Sequence, residues 1–310
     1  MTPYYEDDLV TTGGMRVVIE DGTPFEVRPI DKATARDLIV REHYSHSWND
    51  GPFGSYCFGV FDGLGLAGAL VYGNPMNPDS RASLAALLPE QVTELNRMWI
   101  HDRLGPNTET AAMARAHKWL RSHSPVQLVQ TFADGRLGVG TVYKAANFGY
   151  YGHDTTLFWR SHETGETLHG VPFTNTAVPG GMVERNARLA RGEFEAFRVR
   201  TYRYLYPLTK YARRRILLKP EPYPAYERGG EALPDYTPPA SQLARAYLIA
   251  DAKGWREHAA DIRRYMDATY PPNAVTTALA AGRENEWVKQ YLERRDQEPD
   301  LFSALGEGVA

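Results

Sequence analysis

Five groups of side chains in this 310-residue chain have types and spacings that chemistry requires. The first is His43-Tyr44-Ser45-His46-Ser47. An imidazole titrates near neutrality and suits proton transfer, and a tyrosine ring stacks on a planar ligand or bonds to its edge. His43 and His46 are three apart, a spacing compatible with two metal ligands on one helical face and equally with surface histidines at a helix end. The second is Arg97, which sits in an otherwise apolar run; an inward guanidinium needs an anion, which a phosphate, Glu94 or Glu109 supplies. The third is Asn107-Thr108-Glu109-Thr110, where Asn107 or Thr108 can cap a helix and Glu109 suits its first turn. The fourth is Asp134, followed by the glycine-rich turn Gly135-Arg136-Leu137-Gly138-Val139-Gly140.

The fifth is a basic, aromatic region over residues 197–220. Arg198, Arg200, Arg203, Lys210, Arg213 and Arg214 alternate there with Tyr202, Tyr204, Tyr206 and Tyr211, and no acid intervenes. Positive charge tracks phosphates and aromatic rings stack on bases, so the composition suits a nucleic-acid groove; a solvated surface strand is the alternative.

The elements that must position these groups are legible around residues 94–152. Residues 95–100 read as a short buried strand, and a helix follows from Asn107 with Ala112, Ala116, Trp119 and Leu120 on one face. Residues 126–133 read as a second buried strand with Asp134 at its carboxyl end, and a second helix carries Val142, Tyr143, Ala145 and Ala146. Two βα units in series imply parallel strands, and such sheets hold ligands at their carboxyl ends. Asn107, Asp134 and the glycines fall there, as site residues or as caps and turns.

Upstream, residues 1–14 read as a loose arm, and strands at 16–20 and 25–30 are joined across Asp21-Gly22. A helix over 32–43 carries Ala35, Leu38 and Ile39; strands at 55–61 and 66–72 form a hairpin, and a short helix lies near 81–88. Strands are expected at 155–160 and 197–206 with an irregular segment between. The prolines of 219–241 predict a linker between a domain of residues 1–218 and a helical extension over 242–310. In that extension Leu243, Ala246, Tyr247 and Ala250 form one stripe, and Trp255, Ile262, Tyr265 and Met266 another. Two short helices around Gly282 have helix-turn-helix spacing, but Glu284 and Glu286 would oppose phosphate. A small bundle packing on the main domain or on a second copy in a homodimer is the expectation.

Composition is that of an ordinary globular chain with a net charge of −3, so a nucleic-acid surface must be a local patch. The one cysteine, Cys57, cannot form an internal disulfide, has no charged neighbour to activate it, and fits a cytoplasmic setting. The acidic start has no apolar signal segment and no run reaches membrane-spanning length, so no membrane partner is expected.

The order of elements resembles the GNAT acyltransferase superfamily, an α/β fold with a mixed central sheet and flanking helices. Val142-Tyr143-Lys144-Ala145-Ala146-Asn147-Phe148-Gly149 looks like that superfamily's last helix and its exit. The resemblance implies acetyl-CoA entering where two parallel strands splay, with its pyrophosphate at the helix start of Asn107, Thr108 and Thr110 and with Arg97 beside the groove. The superfamily's Arg/Gln-x-x-Gly-x-Gly/Ala turn is absent; Arg103-Leu104-Gly105-Pro106-Asn107 stands in its place.

A narrower resemblance covers about residues 25–220. His43-Tyr44-Ser45-His46-Ser47, Glu94-Leu95-Asn96-Arg97, Asn107 to Thr110, Phe132-Ala133-Asp134, the run from Gly138 to Phe148, and Tyr206-Pro207-Leu208-Thr209-Lys210 are similar to the Mom family of bacteriophage DNA-modification proteins. That resemblance implies transfer of a carbamoylmethyl group to the exocyclic amine of adenine in host cytoplasm, protecting phage DNA from restriction. The partner would be double-stranded DNA with a flipped adenine, or single strands. Asp134 would accept the amine's proton, Tyr143 would donate one to a leaving thiolate, and His43 and Tyr44 would line the acceptor site. Iron at His43 and His46 is a further implication. The competing readings are an N-acetyltransferase acting on a small-molecule or protein amine, and a non-catalytic DNA-binding protein.

Overall fold

The computed structural model describes residues 15–17, 24–76, 80–174 and 179–293. The chain divides into two compact units, one from residues 1–154 and 200–229, the other from 155–199 and 230–310. The expected arm at 1–14 and the turn at Asp21-Gly22 lie outside the described residues.

In chain order the first unit contains β1 (Met15–Val17), β2 (Phe25–Pro29), α1 (Lys32–Glu42), β3 (Tyr56–Asp62), β4 (Gly65–Gly73), α2 (Ser80–Leu84), β5 (Val92–Ile100), α3 (Thr108–His123), β6 (Leu128–Asp134) and α4 (Thr141–Ala145). It also holds the first part of β7 (Gly149–Ser161), the last part of β9 (Phe194–Pro207), and α6 (Lys210–Arg213). The strands follow the order β1-β2-β3-β4-β5-β6-β9-β7, antiparallel from β1 to β5, parallel between β5 and β6, and antiparallel again between β6 and β9. This is the mixed central sheet expected from the sequence.

Asp31 caps α1 by accepting the Thr34 N–H at 2.8 Å. Ala35, Leu38 and Ile39 of that helix pack with Phe53, Cys57 and Val71. α3 buries Ala112, Met113, Ala116 and Leu120 in a cluster with Tyr72, Leu95, Val129 and Tyr204. Val71 and Tyr72 are successive on β4 and belong one to each cluster, so α1 and α3 cover opposite faces of the sheet. Burial pushes the Cys57 thiol up to about 11, so it is an inert core residue.

One departure from a regular sheet matters for function. β5 pairs with β6 only at Val92↔Leu128, Thr93↔Val129 and Glu94↔Gln130. Beyond that point β5 stays with β4 as far as Ile100↔Gly68, while Thr131 to Asp134 pair with Tyr204 to Thr201 of β9. The parallel strands therefore part after Glu94 and Gln130, bridged by the Thr131 hydroxyl donating to the Leu95 carbonyl at 3.1 Å. The β4/β5 register shifts here too, from Val71↔Arg97 to Tyr72↔Leu95, which leaves Asn96 as a bulge that re-aims its neighbours.

The second unit holds β8 (Thr167–His169) against β7, β10 (Glu231–Ala232) against β9, and a helical core. The expected irregular segment between β7 and β9 contains α5 (Pro179–Ala190), whose Met182, Val183 and Ala187 are buried. They pack with α7 (Ala240–Lys253), α8 (Arg256–Thr269), α9 (Pro272–Glu284) and α10 (Glu286–Glu293). Val275, Leu279 and Val288 of the last two helices lie in this same core, as bundle helices do. The Pro179-Gly180-Gly181 start hid α5 in the sequence, because those residues are poor helix formers.

Residues 219–229, expected as linker, are pinned to the first unit. The Glu221 N–H donates to Tyr150 O at 2.9 Å, the Tyr223 hydroxyl to Phe148 O at 2.5 Å, and the Gly229 N–H to Gly135 O at 2.9 Å. Proline forfeits only its own donor, so the intervening residues still dock. The unit boundaries thus differ from the expected division at 218 and 242, and residues 155–199 join the C-terminal helices. Among the described residues no helix is long and apolar enough to cross a membrane.

Candidate functional site

The parting of β5 and β6 is lined by polar groups. Glu94 is buried, and its carboxylate accepts from Gln130 Nε2 at 2.8 Å and Asn96 Nδ2 at 3.2 Å. Burial pushes this carboxyl up, against the lowering effect of those two bonds. Arg97 donates from Nη1 to Asn96 O at 2.7 Å and from Nη2 to Ser47 Oγ at 3.3 Å, with its Cζ 4.6 Å from the centre of the Phe53 ring. Its buried Nε has no partner. Burial lowers its pKa, while Tyr44, Glu94 and Tyr143 act to raise it.

His43 and Tyr44 follow α1 directly. His43 Nδ1 accepts the Ser45 N–H at 3.1 Å, which leaves the ring proton on Nε2. Burial first, then the charges of Arg97 and His46, hold its pKa down to about 4, so the ring is neutral at neutral pH. Tyr44 lies 4.2 Å from the His43 ring. Its ring is half exposed, yet desolvation and the Asp134 charge push its hydroxyl up to about 12. Arg97, Tyr143 and Arg136 act on that same hydroxyl.

Asp134 stands at the carboxyl end of β6, as expected, but it is not alone. Arg136 Nε lies 3.0 Å from both carboxylate oxygens, Nη2 is 2.5 Å from Oδ2, and the Arg136 N–H donates to Oδ1 at 2.9 Å. Gly140 then turns the chain at φ +80°, where a Cβ would meet Ala133 Cβ and the Tyr204 ring at 2.8 Å. That tight turn presents Tyr143 to the site. Its hydroxyl bonds to Thr131, and burial keeps it protonated at neutral pH by raising its pKa. The fold thus brings together His43, Tyr44, Arg97, Asp134 and Tyr143. Sequence reasoning missed Arg136 as the partner of Asp134 and Glu94 as a raised carboxyl. The spacing of two across a turn was the signal for Arg136, and a lone acid in an apolar strand was the signal for Glu94.

The expected cofactor residues behave differently. Asn107 is left-handed at φ 65° and makes no side-chain cap. The Thr108 hydroxyl donates to Gly105 O at 2.9 Å and the Thr110 hydroxyl to Asn107 O at 2.7 Å. Their side chains therefore shape the turn and leave the first-turn N–H groups of α3 as the groups that could meet an anion. Arg103 is held by Asp62, Nε to Oδ2 at 2.7 Å. The iron expectation does not fit: no cluster of three or more His, Cys, Asp or Glu able to hold a metal is present among the described residues. His43 Nδ1 serves Ser45, and His46 Nδ1 lies 3.1 Å from Val40 O.

A sequence profile of the Mom protein family matches residues 24–225. The chain is also 33% identical over 226 residues to the methylcarbamoylase Mom of Escherichia phage Mu, an alignment that spans 71% of this chain and 88% of that one. The chain belongs to the Mom protein family. All the converging residues fall within the Mom match, whereas α7 to α10 lie beyond it. Among solved structures, the spermidine/spermine N-acetyltransferase SpeG of Vibrio cholerae shares 11% identity and a TM-score of 0.35, covering 61% of this chain and 96% of that one. The ribosomal-protein-S5-alanine acetyltransferase of Vibrio fischeri shares 9% identity and a TM-score of 0.36, covering 63% and 98%.

The basic region of this Mom-family chain is divided by its structure. β6 and β9 are antiparallel, so Thr201 lies opposite Asp134 and Pro207 opposite Leu128. Arg200 and Arg203 are therefore near the Asp134 end, but Arg200 pairs with Glu227 and Arg203 with Asp154, each at 2.6 Å. Arg198 is exposed within the second unit. Lys210, Arg213 and Arg214 are exposed at the other end of β6, about 20 Å away along a seven-residue strand. Tyr202 and Tyr204, expected to stack on bases, are buried in the core because their register on β9 turns them to the α3 face.

Proposed function

We propose that this chain is a transferase that adds a carbamoylmethyl group to the exocyclic amine of adenine in DNA and so protects the DNA from restriction nucleases. The observation that carries the reading is the convergence of Tyr44, Arg97, Asp134 and Tyr143 at the parting of β5 and β6, in a chain similar over most of its length to a protein named methylcarbamoylase. Adenine's amine is a weak nucleophile because its lone pair is delocalised into the ring, so a base must draw off a proton as the new bond forms. Asp134 is the proposed acceptor at the strand end, with Arg136 holding its carboxylate in place. Tyr143, kept protonated by burial, is the proposed donor to the leaving group. Glu94 favours a second assignment for the base, since burial raises its carboxyl toward the range that general bases use.

The first-turn N–H groups of α3 and the gap between β5 and β6 fit acetyl-CoA, with Thr108 and Thr110 fixing the turn that presents those N–H groups. When bound, acetyl-CoA would supply the two carbons. Joining its methyl carbon to the adenine amine would also require a two-electron oxidant, and the terminal amide an ammonia-equivalent donor that displaces the thiol, the group to which Tyr143 would give its proton. A base within a duplex cannot reach the Tyr44 side of the site, so the substrate is an extruded adenine or a single strand, met in the host cytoplasm if the gene is phage-borne. The test is to express the chain in a bacterium, digest the DNA to nucleosides and weigh them. Deoxyadenosine bearing one carbamoylmethyl group in place of a hydrogen is the expected product. An acetyl increment would make the chain an N-acetyltransferase, and unmodified DNA would overturn the proposal.

A further inference from the structure

Tyr202 and Tyr204 of β9 are buried and Tyr206 is half-buried against the same core, so stacking surfaces are sought elsewhere. Exposed apolar side chains gather around the turn that follows Asp134. Leu137 lies on the turn, the Tyr44 hydroxyl feels Asp134 and Arg136, and Tyr223 and Tyr226 come from the pinned segment. Tyr226 is 68% exposed, yet a Cβ on Gly138 would meet its Cε2 at 3.5 Å, next to Leu137. Its backbone is anchored on both sides. Before it, the Tyr223 hydroxyl donates to Phe148 O, with the Lys144 ammonium 5.0 Å from the centre of the Tyr223 ring. After it, Glu227 binds Arg200 and the Tyr202 hydroxyl, and the Gly229 N–H reaches Gly135 O. Pro220, Pro222 and Pro224 stiffen the same stretch.

An ordered backbone that keeps a large ring in water beside a candidate site is characteristic of a binding surface. We infer that Tyr226, with Leu137 beside it, is a stacking platform for an unpaired nucleobase adjoining the base that enters the site. The inference rests on the nucleic-acid reading proposed above. Aromatic faces suit any base, and the exposed cations Lys144 and Arg228 match the charge of a strand. A base inside a duplex has no free face, so the partner is a strand locally unpaired. Tyr226 follows residue 225, the last of the family match.

The test uses the full chain and a single-stranded oligonucleotide carrying 2-aminopurine, with anisotropy for affinity and 2-aminopurine quenching for stacking. Tyr226→Ala should weaken binding about 5- to 150-fold, as expected for one missing base–aromatic stack, and relieve the quenching. Tyr226→Phe should behave as the parent does, and Leu137→Ala should weaken binding in the same direction. The salt dependence should not change, because the ring carries no charge. Parent-like binding by Tyr226→Ala, or a Tyr226→Phe loss as large as that of Tyr226→Ala, would overturn the platform. If that parent-like variant still modified adenine, the proposed function would stand without the platform. A parent protein that neither bound the strand nor modified DNA would remove both.

Discussion

His117 offers a quantitative test of the core beside the site. It lies on the inner face of α3, with its ring centre 4.6 Å from that of Tyr206, 5.6 Å from Phe148 and 6.0 Å from Tyr72. Its Nε2 is buried without a partner. Burial, assisted by the Arg121 charge, lowers its pKa to about 3. A histidine whose folded pKa lies below its unfolded value of about 6.5 binds fewer protons when folded. Its contribution is intact above the unfolded value, is lost as pH falls, and levels off near the folded one. Between about pH 7 and pH 5 this one site should cost about 2 kcal/mol of stability. His43, held down to about 4, should cost a similar amount over the same range. Glu94 acts in the opposite sense, because a raised folded carboxyl favours the fold as pH falls. Replacing His117 leaves the His43 and Glu94 contributions in place, so they cancel in a comparison. His117→Phe keeps the aromatic packing and removes the orphan nitrogen. Denaturant unfolding of both proteins at the two pH values should show the variant losing about 2 kcal/mol less than the parent on acidification. Equal losses would mean that His117 is protonated or partnered in the folded chain, and the reasoning would fail.

Three further outcomes follow from the site. Asp134→Asn and Tyr143→Phe should each cut adenine modification by about 10²- to 10⁴-fold with oligonucleotide affinity unchanged; if Glu94→Gln alone does so, the base is Glu94. Gly140→Ala should destabilise the chain more than Gly65→Ala, a second positive-φ glycine with nothing within 4 Å of its Cβ position. The excess, read by denaturant unfolding, should be about 1–3 kcal/mol, the typical cost of overpacking, and no excess would dismiss the tight turn as the support of Tyr143. Arg213→Ala combined with Arg214→Ala should flatten the salt dependence of DNA binding, by about one in the log–log slope for each phosphate no longer neutralised. An unchanged slope would place α6 outside the DNA path.

Sequence alone determined the strand–helix–strand–helix frame of residues 94–152 and the position of Asp134 at a strand end. Apolar periodicity, caps and glycine turns are local signals, and they survive without knowledge of the rest of the chain. The dispersed motifs were enough to indicate the family. Tertiary structure decided which side chains meet. The separation of β5 from β6 depends on the competing partners β4 and β9, far away in sequence, and so does the arrival of Arg97 and Asp134 around Tyr44. The same holds for the basic region, where an even run of arginines and tyrosines conceals a strand that turns Tyr202 and Tyr204 to the core and pairs Arg200 and Arg203 with acids, while Lys210, Arg213 and Arg214 lie at the far end of β6. A strand's face and a charge's partner are fixed by register between distant segments, and composition carries no record of that register.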